Sequence, residues 1–82
     1  MDPEAFAEIV KQESLLRWLE CAPPSGGSSN KVCVFPIENG WATVMTDERA
    51  VPLDDTYRFF RTEPSALADA LDALRAQKSL MT

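Results

Sequence analysis

The sequence predicts an α+β fold: an N-terminal helix, a three-stranded antiparallel β-meander and a C-terminal helix, with both helices packed on one sheet face. Three observations carry this. Helix-period apolar spacing opens the chain, an Asn39-Gly40 pair stands between two β-prone runs, and an alanine- and leucine-rich stretch, TEPSALADALDALRAQK, closes it behind a capping threonine. At 82 residues the chain reads as a single domain, 1–82, able to bury little more than about 60% of its unfolded surface. Its 45% hydrophobic and 26% charged residues are those of a globular protein.

The first helix is expected over 2–20. Asp2 caps its opening amides, Pro3 suits the first helical position, and Glu4 lies near the positive end of the helix dipole. At helical spacing Ala5, Phe6, Ile9, Val10, Leu15, Leu16 and Leu19 share a broad side, with Glu4, Glu8, Lys11 and Ser14 opposite. Trp18 falls off that stripe, either wrapping the helix end or presented to a partner. Residues 21–30, CAPPSGGSSN, stop the helix with two prolines and have the composition of a flexible linker. No Gly-Lys-Ser/Thr follows, so this is not a phosphate loop.

The meander is expected over 31–61. A two-residue turn at Asn39-Gly40 places Ile37 opposite Ala42, Phe35 opposite Val44 and Cys33 opposite Thr46, on one apolar face that both helices cover. The other face, with Val34, Pro36, Glu38, Trp41, Thr43 and Met45, is left to water or a partner. Pro36 cannot donate to a ladder and marks an edge or a bulge. TYRFFR supplies a third strand, with Tyr57 and Phe59 on one side and Arg58 and Phe60 on the other. The last helix is expected over 62–78, capped by Thr62, with Leu67, Ala70, Leu71 and Leu74 at core spacing.

Composition restricts the chemistry. There is no histidine, so acid/base work would fall to Asp47, Glu48, Asp54 or Asp55, all in expected turns with no apolar pocket evident around them. DERAVPLDD has apolar residues where a calcium loop needs oxygens, and Cys21 with Cys33 makes a poor zinc site. The serines at 25, 28 and 29 lack an imidazole or a nucleophile elbow. We therefore expect no catalytic residue, no metal, no cofactor and no enzyme. The apolar runs are too short for a membrane span and the N-terminus has no signal-peptide pattern, so a cytoplasmic location is expected.

What remains is binding. Thirteen acids against eight bases leave a formal charge of −5 without a Lys/Arg cluster, which disfavours direct nucleic-acid binding and favours a protein partner with a basic surface. The candidate partner-binding residues are Trp41 and Met45 on the open sheet face, Asp47, Glu48, Asp54 and Asp55 in the acidic turns, and Asp69 and Asp72 on the outer helix face. Each has a plainer reading as well: Trp41 as a lid on the hairpin, Asp72 as an ion-pair partner of Arg75.

The hairpin ENGWATVMT, the strand TYRFF and the capped helix TEPSALADALDAL together resemble, in layout and size, the small inhibitor proteins of phages and mobile elements, anti-CRISPR proteins among them. The likeness covers about residues 31–78 and carries no residue roles. It implies a non-enzymatic protein that binds a bacterial host complex and blocks it. Two other readings stay open: a homodimeric adaptor or immunity/antitoxin protein, and a small ligand-binding domain or enzyme using Tyr57 and the acidic turn.

Overall fold

In the computed structural model, which describes residues 1–82, Asp2 caps helix α1 (Pro3–Gln12) as expected: its Oδ1 accepts the Ala5 amide at 2.8 Å. The helix then stops well short of residue 20. Ser14 takes a left-handed conformation (φ 58°), the Leu15 amide donates to the Val10 carbonyl at 2.9 Å, and the Ser14 amide donates to Lys11 at 3.2 Å. These two bonds are those of a Schellman turn, and Leu15 and Val10, the apolar pair that accompanies it, are both buried in the main core. The leucine spacing that predicts a longer helix therefore serves a turn that drops Leu15 inward. A 3₁₀ turn, Leu16–Trp18, follows and buries Trp18, with the Arg17 guanidinium 5.1 Å from its ring centre.

The chain next extends into a two-residue strand, β1 (Leu19–Glu20), where helix was predicted. It pairs in parallel with β2 (Val32–Ile37), Leu19 beside Val32 and Glu20 beside Cys33. Strands β3 (Gly40–Met45) and β4 (Arg58–Phe60) add antiparallel, giving the order β1-β2-β3-β4. The sheet is thus four-stranded and mixed, where a three-stranded antiparallel meander was predicted; the meander is its β2–β4 part. Helix α2 (Glu63–Met81) runs past the expected end at residue 78, and the Thr62 hydroxyl donates to Ser65 Oγ at 3.0 Å instead of accepting a backbone amide. No helix is long and apolar enough to cross a membrane.

The hairpin register differs from the expected one by two residues. Phe35 pairs with Ala42, Cys33 with Val44 and Ile37 with Gly40, so the turn is Glu38-Asn39 and Gly40 lies in the strand. The glycine is needed there for a different reason: a β-carbon at Gly40 would run into the Phe60 carbonyl oxygen of β4. A shift of two preserves the faces, since side chains alternate with period 2. Cys33, Phe35, Ala42 and Val44 do share one face and form their own buried cluster.

The helices, however, cover the opposite face. Phe6, Val10, Leu15, Trp18, Leu67, Leu71 and Leu74 pack with Val32 and Val34, and Trp41, Met45 and Phe60 lean on that core. That side presents Trp41, Met45 and Phe60 around Val32 and Val34, while the other has cysteine and alanine at its centre. Asp69 of α2 also accepts the buried Thr43 hydroxyl at 2.9 Å, fastening helix to sheet. The segment 21–30, read as a flexible linker, crosses the other face. Ser28 is buried between Glu20, whose carboxylate accepts a bond from its hydroxyl at 3.1 Å, and Thr46, whose hydroxyl donates to the Ser28 carbonyl.

Candidate functional site

The helix-free face ends at β4, and backbone alternation determines what that strand offers. Thr46 donates its amide to Lys31 at 2.9 Å, which makes 31, 33, 35 and 37 the residues of β2 that bond to β3. Trp41, Thr43 and Met45 then turn their amides and carbonyls toward β4. The bonds at the end of that row agree: Leu53 donates to the Met45 carbonyl and the Met45 amide to Thr56 Oγ1, each at 2.9 Å. In β4, Arg58 and Phe60 bond back to β3, so Phe59 directs its amide and carbonyl away from the sheet.

The Phe59 side chain lies on the helix-free face, beside Ala42, and is 68% exposed. Its ring stacks on Tyr57, centroids 6.1 Å apart and planes 8° from parallel; Tyr57 is 37% exposed. Ile37 stands on the same face two strands away, also exposed, and Phe35 and Ala42 form the floor between them. Directly before Tyr57, a 3₁₀ turn at Asp54–Thr56 holds Asp54 and Asp55 out in solvent. The Thr56 hydroxyl, donating to the Leu53 carbonyl at 2.7 Å, closes that turn. A sheet edge, an aromatic pair and two free carboxylates therefore adjoin one another.

The eight residues predicted from sequence do not form one surface. Trp41 and Met45 point to the helix side, half-buried against the core, because the helices take the face that was expected to stay open. Asp47 builds its own turn: Oδ1 accepts the Arg49 amide at 2.8 Å and the Val51 amide at 3.0 Å. Glu48 projects into solvent while its carbonyl accepts the Ser29 hydroxyl at 2.7 Å. Asp69 is half-buried and engaged, by Thr43 and by Arg58 at 3.3 Å. Asp55, Asp69, Asp72 and Met45 do come together with Arg58, around a shallow polar hollow of about 320 Å³ between β4 and α2. Asp72 does not pair with Arg75, which reaches α1 instead and grips Glu13 through two bonds of 2.9 and 2.6 Å. No three of Asp, Glu and Cys stand together so as to hold a metal ion.

Both thiols are held protonated at neutral pH. Burial pushes Cys33 up to about 11, with the Glu20 carboxylate adding to the shift and Lys31 opposing it. Burial likewise raises Cys21, helped by Glu20 and Glu63. A thiol without thiolate is a weak nucleophile. The chemistry this surface offers is hydrogen bonding at a strand edge, aromatic contact and charge.

Phe59 was not among the candidates from sequence, although its placement is legible in TYRFFR, where Tyr57 and Phe59 alternate to the same side. Assigning the helices to the wrong face hid it. A comparison with protein-family models, with curated proteins and with solved structures found no match to this chain.

Proposed function

We propose that this chain acts by binding a protein partner with a basic surface, inhibiting or modulating it without chemical change, and that β4 is where the two meet. The observation that carries this is Phe59: a largely exposed ring, stacked on a second aromatic, on a residue whose backbone amide and carbonyl face outward. A partner strand laid along β4 gains main-chain bonds from Phe59 and buries the Tyr57–Phe59 pair as its anchor. Asp54 and Asp55 at the rim steer basic partners toward it and speed association. In the setting that the layout resembles, a phage inhibitor of a bacterial complex, the partner is a subunit with a basic nucleic-acid channel.

The test is capture from bacterial lysate at low and high salt, with Phe59→Ala and Asp54→Asn/Asp55→Asn beside the parent chain. Phe59→Ala is expected to abolish the stoichiometric complex, and the double asparagine variant to weaken it mainly at low salt. A complex indifferent to Phe59 and Tyr57 overturns the proposal. The same open edge supports a second reading, in which a twin chain pairs antiparallel about Phe59, setting Arg61 of one copy against Tyr57 of the other. Light scattering at micromolar concentration separates the two: a dimer lost in Phe59→Ala supports the twin.

A further inference from the structure

A second concave feature lies on the helix side, away from β4. It is a groove of about 530 Å³ between α1, the β1–β2 edge and the start of α2. Phe6, Val10, Leu19, Val34, Trp41 and Leu67 line it, and Leu16, 69% exposed, stands at its rim. Its volume falls in the range of small-ligand sites, roughly 300–1,000 Å³. Pro36 on the adjoining edge lacks the amide that an added strand would need. Its largely apolar lining suits an extended apolar chain.

The charges set its head group. Lys11 and Glu63 line the groove at opposite ends: α1 and α2 run side by side in the same sense, since Glu13 at the end of α1 meets Arg75 and Lys78 of α2. Pro3, Trp41, Cys21 and Glu63 therefore mark one end, and Lys11, eight residues or about 12 Å further along α1, marks the other. Neither Lys11 nor Glu63 belongs to either of the two ion pairs in the molecule. Of the two, Lys11 is exposed on a flexible stem, whereas Glu63 is half-buried and lines the same groove as Trp41, in a chain of net charge −5. A cation at the Glu63 end gains a half-buried carboxylate, an aromatic residue of the same groove and the field of the whole molecule; an anion at Lys11 gains only a screened surface contact. Cys21, on the same wall, has its thiol raised chiefly by burial, with Glu20 and Glu63 both near enough to add to the shift.

We propose that this groove binds a linear amphiphilic cation, its apolar chain along Phe6, Val10 and Leu19 and its ammonium head at Glu63 and Trp41.

Calorimetry with three probes of equal chain length, decyltrimethylammonium, decanol and decanoate, each kept below its micelle concentration, tests the assignment. The cation is expected to bind one to one, more tightly than the alcohol, with decanoate weakest, and to move the Trp41 indole cross-peak in a ¹⁵N spectrum. Glu63→Gln should weaken the cation about fivefold, the worth of one partly screened pair, and leave decanol unchanged. Ala7→Trp, a substitution at an exposed helical position on the groove wall, should abolish binding of all three while the thermal midpoint stays within a few degrees. Absence of saturable binding, decanoate binding as tightly as the cation, or binding that survives Ala7→Trp in a folded protein overturns the proposal.

Discussion

The two faces of the sheet are built to different ends. The face carrying Val32, Val34 and Thr43 lies under two helices and holds most of the buried leucines. The other carries a four-residue cluster beneath a hydrogen-bonded loop and ends in an aromatic pair left in water. Covering a face stabilises; leaving part of one uncovered costs solubility and persists when that part has a use. The contrast suggests that stability is concentrated on the helix side and recognition on the other, and each half of that statement can be broken.

The sharpest discrimination is chemical. Cys33 forms the floor of the helix-free face and is fully buried, while Cys21 is exposed. With its thiol raised to about 11, Cys33 is nearly all protonated at pH 8, with about one molecule in a thousand ionised. Alkylation followed by mass spectrometry is expected to show one label on the native chain and two in denaturant, Cys33 reacting slower by orders of magnitude. Equal rates would mean that the loop at Ser28 does not seal this face.

Next in size come truncations. Leu74→Ala, at a fully buried site on the helix side, should cost about 2–5 kcal/mol in urea unfolding, a large fraction of what a domain this small possesses. Phe59→Ala should change stability by no more than about 0.5 kcal/mol, because its ring is already in water. If Phe59→Ala destabilises as Leu74→Ala does, the aromatic pair is structural and the recognition reading fails. Between them lies Gly40→Ala. The added β-carbon meets backbone at Phe60 that no rotamer can move, so β4 must loosen from β3, at a cost of about 1–3 kcal/mol.

How much of this was legible in the sequence follows from what each signal encodes. Alternation in KVCVFPI and WATVM put Cys33, Phe35, Ala42 and Val44 on one face, because period 2 survives an error of two in register. It could not say which face the helices take, since both carry bulky apolar side chains. Asn39-Gly40 was read as a turn because that pair favours one locally; the clash that makes Gly40 necessary involves Phe60, twenty residues on. Leu15, Leu16 and Leu19 continue a helical stripe, and the turn that ends α1 has serine where glycine is the usual mark. Asp54 and Asp55 were legible as exposed turn residues, whereas Trp41 and Met45 fell with the face assignment.

That serine gives a smaller and opposite effect. Ser14 holds a left-handed conformation at a strain of about 1 kcal/mol that glycine does not feel, so Ser14→Gly should raise stability by up to about that much. Unchanged or lower stability in a urea titration would show that the Schellman turn is not what ends α1.

The smallest effect tests whether α1 is tied to α2 by charge as well as by packing. The Arg75 guanidinium, bonded to both oxygens of Glu13, holds that carboxyl below its usual 4.5, and Glu13 in turn raises Arg75. A carboxyl whose folded pKa is depressed contributes stability above its unfolded pKa and loses it as pH falls through the folded one. Arg75→Gln should therefore lower the urea midpoint slightly at pH 7, less in high salt because both side chains are exposed, and not at all once the pH is well below 4. The Lys78 ammonium is bonded to the Glu13 carbonyl at 2.6 Å, a second link between the two helices that does not involve the Glu13 carboxyl. A difference between Arg75→Gln and the parent chain that persists unchanged into acid would show that Arg75 acts through its aliphatic stem, and that its pairing with the Glu13 carboxyl adds nothing to the join between the helices.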